Sequence, residues 1–176
     1  MADDIQTKVA NTAESASKNG SPYGNGMCWG FVHHVLATVN AKSFYDFNHQ
    51  GESDPIFAAW GEPATEPGIG YIIVLKDAAW ATIHKHKTGR GTVKSTTITR
   101  VKHQFHKHVA IILRVDSDGH LLIAQQGVPS PSAKPSQLKI PTGFKQGTLK
   151  YFRPVAMPLG HKTSSPTPAS KAAAAN

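Results

Sequence analysis

The chain has one cysteine, Cys28, within the stretch YGNGMCWGFVHHVL at 23–36. A glycine-punctuated turn precedes it and a helix-like run follows, so the thiol falls where a helix N-terminus would begin. Unpaired N–H groups and the helix dipole at such a position favour the thiolate, the form that attacks a carbonyl. A thiolate nucleophile also needs an imidazole as base or ion-pair partner, and a third polar group to hold that ring. His108 opens HVAIILRV at 108–115, and Gln125 lies at the end of HLLIAQQ at 120–126, with DSDG between them. In an antiparallel hairpin the start of one strand lies beside the end of the next, which makes His108 and Gln125 neighbours. Taken alone, a free cysteine is more often an inert buried residue, and a histidine beside Val109 and Ala110 is readily a core residue. The order of thiol, imidazole and polar strand end is what favours the nucleophile.

Those three residues need a helix and a sheet to position them. Phe31, Val32, Val35, Leu36 and Val39 recur at helical spacing and predict an amphipathic helix over 28–40. YIIVLK (71–76), 108–115, 120–126 and GTLKYFRPV (147–155) read as strands, and the β-prone 91–101 as a strand or extended hairpin arm. DSDG is a tight turn. Residues 43–68 are rich in Gly, Pro, Asp and Glu, with PIFAAWG as a short helix. The order predicts an α+β fold, one helix packed on a small meander of antiparallel strands. Alternating strand residues face opposite ways, so one of Gln125 and Gln126 should face the helix, and Gln125 is the choice.

At 176 residues with 39% apolar side chains, the chain is long enough for one domain with a real core. Residues 1–20 read as a flexible or weakly helical leader, 21–157 as the folded domain, and 158–176 as a disordered Ser/Pro/Ala-rich tail. The N-terminus lacks the apolar core of a secretory signal, and no apolar run would span a bilayer. Synthesis in the cytoplasm is expected, with non-classical export or delivery to a cell wall as the route to an outside substrate. One cysteine excludes an internal disulfide framework. The net charge is +8, and 84–108 contains no acidic residue, which suits an anionic polymer as partner. His84 with His86, and His106 with His108, have metal-like spacing, but no Cys, Asp or Glu accompanies them, so no metal or cofactor is expected. No aromatic-stacking or groove-reading motif supports nucleic-acid binding.

The motifs GMCWGFVHHVL, PGIGYIIVL, HVAIILRVDSDGHLLIAQQG and GTLKYFRP together resemble the papain-like CHAP and NlpC-type cysteine amidohydrolases, over about 22–155. The resemblance implies a papain-like fold, a peptide or peptidoglycan substrate, and a monomeric amidase or endopeptidase. It implies Cys28 as nucleophile, His108 as base and Gln125 as the orienting residue. The Cys28 N–H would stabilise the oxyanion, helped by Tyr23 or Asn25, with Trp29 as a pocket wall and Gln126 nearby. Two departures stand out. Gln125-Gln126-Gly127 replaces the usual E-Q-N, and Ile69 replaces the acid after Pro67-Gly68. A glutamine accepts an imidazole N–H but carries no charge to stabilise an imidazolium. Similar cysteine-protease-like domains close some fungal actin-patch adaptor proteins. The alternative is accordingly a catalytically weak or inactive proteinase-fold binding or scaffold module that holds an anionic polymer or protein through its His/Lys-rich segment.

Overall fold

The computed structural model describes residues 4–18, 20–47, 54, 56–89, 95–128, 133–144 and 146–164. Two helices, α1 (Ile5–Ser17) and α2 (Cys28–Thr38), precede a short 3-10 turn, Phe44–Asp46. Six strands follow: β1 (Glu62–Ala64), β2 (Ile72–Thr88), β3 (Ser95–Val115), β4 (His120–Gln125), β5 (Ser136–Pro141) and β6 (Gln146–Arg153). They form one antiparallel sheet in the order β1-β6-β2-β3-β4-β5, curved into a half-barrel. This is compatible with a papain-like fold.

β2 and β3 lie at the centre because their apolar runs can be buried on both faces. Val9 and Ala13 of α1 and Phe31, Val32, Val35 and Leu36 of α2 pack with Trp60, Ile72, Val74, Val109 and Ile111 on one face. Ile73, Leu75, Ala110, Ile112, Leu121, Ile123 and Ile140 fill the curl on the other. Register shifts between Lys76 and Ala79 and between Ile112 and Arg114 supply local bends where the half-barrel curves. The predicted apolar stripe of α2 is the stripe that is buried. Asn40, at φ 55, stops the helix in a left-handed conformation that asparagine tolerates.

Several expectations differ from the structure. The stretch expected as a flexible or weakly helical leader contains α1, docked on the sheet with Val9 and Ala13 fully buried. Its spacing of Val9, Ala13 and Ala16 is helical, but alanines give so weak an apolar signal that the stretch reads as polar. The meander is broken, because β6 returns beside β2 and β5 adds an edge strand from SQLKIP. Residues 56–58 form a turn rather than a helix. Of the tail, 161–164 folds back: Thr163 Oγ1 donates to the Ala41 carbonyl at 2.6 Å and the Ser164 N–H to Asp46 at 3.0 Å. Residues 165–176 lie outside the described residues.

If α1 belongs to the domain, Val9→Ala should lower the unfolding free energy by about 2 kcal/mol. Urea melts check this, and an unchanged midpoint would mean that α1 is an appendage.

Candidate functional site

α2 begins at Cys28 because the chain arrives extended at Met27, whose carbonyl already accepts the N–H of Phe31 at 3.3 Å. Gly30, in the first turn, allows the preceding loop to lie across the helix, since a Cβ there would meet Asn25 Oδ1 at 2.6 Å. Gly127, at φ +84, brings the chain leaving β4 against the helix start, its missing Cβ only 3.1 Å from the Cys28 nitrogen. Gln126, fully buried, fastens the two together. Its amide donates to the Tyr23 carbonyl at 2.8 Å and the Met27 carbonyl at 3.3 Å, and its oxygen accepts the Tyr23 N–H at 2.7 Å.

Cys28 is 5% exposed and His108 2%. Cys28 packs with Val109 at the start of the β3 core, and the backbone N–H groups of Val109, Trp29 and Cys28 itself act to lower the thiol's pKa. These favour the thiolate, but burial outweighs them and pushes the thiol above its ordinary range, with the Asp54 carboxylate adding to the rise. His108 sits opposite Leu75 in the β2–β3 register and therefore shares its face of the sheet, the face inside the curl. Its ring stacks on Phe105, with centroids 4.3 Å apart at 12°. Gln125 Oε1 lies 2.8 Å from His108 Nε2. An amide oxygen only accepts, so the ring's proton is on Nε2 and Nδ1 holds the lone pair. Burial pushes His108 down to about 4, although the Gln125 bond acts the other way. At neutral pH the site thus holds a thiol and an uncharged imidazole. Among the described residues no hydrogen bond joins Cys28 to His108.

The structure therefore brings His108 and Gln125 together inside the curl, whereas Cys28 packs with the α2 core on the other face of the sheet. Gln126, rather than Gln125, is the residue that faces the α2 side. Gln125 points into the curl, because the odd positions Leu121 and Ile123 of β4 do so too. The three remaining binding candidates are turned to structural uses. Tyr23 stacks on His34 (4.1 Å, 25°), Asn25 Oδ1 accepts the Met27 N–H at 3.1 Å, and Trp29 packs edge-on against Phe44 at 6.0 Å. Reading the sequence misses Phe105, because simple alternation puts 105 and 108 on opposite faces. Asp77, in a left-handed conformation at φ 50, shifts that alternation, so Ala78 and Leu75, and with them Phe105 and His108, share one side. Asp54, whose own side chain accepts from the Ile56 N–H and from Lys107, was also hidden in a loop.

The family model described as the AIM3/BBC1 cysteine proteinase-fold domain matches residues 1–163. The chain belongs to this family. The match supports a papain-like cysteine proteinase fold without singling out the CHAP or NlpC branch, and it takes in α1 as well as the cysteine helix. No curated protein and no solved structure matches the chain.

The uncharged imidazole has a thermodynamic consequence. Unfolding returns His108 to its ordinary 6.5, so between 6.5 and about 4 the unfolded chain binds a proton that the folded chain refuses. Stability should fall as pH drops through that window and level off below it, by roughly 3 kcal/mol from this residue. A His108→Gln variant, compared with the parent by denaturant melts from pH 7 to 4, should lose that part of the slope. Parallel pH profiles would place the ring in solvent.

Proposed function

We propose that the chain is a proteinase-fold binding module that does not hydrolyse amide bonds. One observation carries this reading. The thiol and the imidazole that would form the nucleophilic pair are both buried and both held in their uncharged forms, without a bond between them. A cysteine hydrolase needs the reverse, an accessible thiolate whose pKa a neighbouring imidazolium depresses. Gln125 cannot supply the charge that would restore it, since a neutral amide orients a ring without stabilising its protonated form. Buried and satisfied, the residues act as core: Gln125 ties β4 to β3 through His108, and Gln126 ties the β4 exit to the approach to α2. The fold then serves as a support for surfaces away from Cys28 and His108. The basic, acid-free stretch of β2 and β3 is the surface best suited to an anionic partner.

Alkylation of Cys28 tests the reading. With iodoacetamide, the native chain should react more slowly than the urea-unfolded chain at every pH from 6 to 9, with no reactive plateau below the free-thiol range. Incubation with peptidoglycan fragments should release no new amine. Fast native alkylation at pH 6, or amine release abolished by Cys28→Ala, would instead establish a thiol amidohydrolase. The specific feature in favour of that second reading is the Gln125 bond itself, which fixes His108 Nε2–H and leaves Nδ1 as a free base.

A further inference from the structure

The β2–β3 ribbon outruns the body of the sheet. β6 last pairs with β2 at Gln146–Ala79, and β4 joins β3 only from Ala124–Ile111 onward. Beyond those points, 81–88 and 95–102 pair with each other and, among the described residues, with no other strand. Both outer edges of the ribbon therefore present backbone N–H and C=O groups outward.

Directly opposed residues of an antiparallel pair share a face. The register sets Ile83 against Arg100, Lys85 against Ile98, Ala81 against Lys102 and Lys87 against Thr96. One face thus carries two isoleucines, diagonal neighbours 60% and 62% exposed, surrounded by four cations. No acidic residue occurs between Asp77 and Asp116, and among the described residues none of these four cations meets a carboxylate. Elsewhere some cations are paired. Lys18, Lys107, Arg114, Lys139 and Arg153 each sit against an aspartate or glutamate.

We infer that this face of the ribbon, with Ile83, Lys85, Ile98, Arg100 and Lys102 at its centre, is a docking surface for an extended acidic polypeptide segment that intersperses carboxylates with apolar side chains. The inference rests on the binding-module reading and names its partner class. Three features select a polypeptide over other polyanions. The open edges offer donors and acceptors in strand register, which an added strand satisfies and a phosphate backbone or lipid surface does not. The isoleucines offer apolar area that a purely charged polymer leaves in water. Like charges on neighbouring ribbons repel, so a second copy of this chain is excluded while an acidic strand is drawn in.

The probe is a fluorescein-labelled peptide of about ten residues with Glu and Val mixed at alternate positions and Thr between them, so that acid and apolar groups share one face. Fluorescence anisotropy with the full chain at about 0.05 M salt should show saturable binding that weakens as salt rises. Ile83→Ser with Ile98→Ser, and separately Lys85→Gln with Arg100→Gln, should each weaken it about tenfold or more. A proline at the peptide's centre should also abolish it, because that removes a ladder N–H. The inference is overturned by no binding, by both double variants binding like the parent, or by phosphatidylserine vesicles or duplex DNA being held more tightly than the peptide. Peptide binding that persists in both variants refutes this face while leaving the binding-module reading intact. Cys28-dependent hydrolysis would refute that reading and leave the anisotropy result standing.

Discussion

A buried imidazole needs a partner for its one N–H, and at His108 that partner is the side-chain oxygen of Gln125. Much of the site's character follows from this neutral bond. A carboxylate in the same place would draw a second proton onto the ring and favour the imidazolium. An amide gives orientation without charge, and burial then decides the outcome: the ring loses its proton readily and the thiol keeps its own. Phe105 closes one side of the ring and the paired strands close the rest. His108 pairs with Gln125 on one face of the sheet and Cys28 packs with the α2 core on the other, each as a core residue.

The same two strands serve both halves of the molecule. Where β2 and β3 are flanked by β6 and β4, their alternate residues fill the cores on either side of the sheet. Where the flanking strands stop, the alternation continues with no covering strand among the described residues, and the side chains become mostly Lys, Arg, His and Thr with two exposed isoleucines. Asp77 and the register shift beside it lie near the change, turning the ribbon as it leaves the body. The projecting part is joined to the buried part by continuous β2–β3 pairing. The bland account of its lysines, that they merely guard open edges, explains the charge but not Ile83 and Ile98.

Much of this was legible in the residues. The helical spacing of Phe31, Val32, Val35 and Leu36 announced α2, the apolar runs at 72–75 and 108–112 announced the central strands, and the strand–turn–strand order brought His108 to Gln125. What stayed hidden has identifiable causes. α1 hides its docking face in alanines, which bury little area each. Only 91–101 of the ribbon is foreseen, as a strand or extended hairpin arm, because its length and its pairing at long range are invisible in either strand alone. The facing of Gln125 and Gln126 turned on a parity that sequence order does not set. The protonation state of the site was least legible of all, since it depends on how much water the finished fold excludes.

The most direct test is to observe the His108 ring nitrogens by long-range 1H–15N NMR during a pH titration. The neutral-core account predicts a single Nε2–H tautomer from pH 8 to pH 5, with protonation setting in only near 4. Two protonated nitrogens at neutral pH would contradict it and return the site to catalysis.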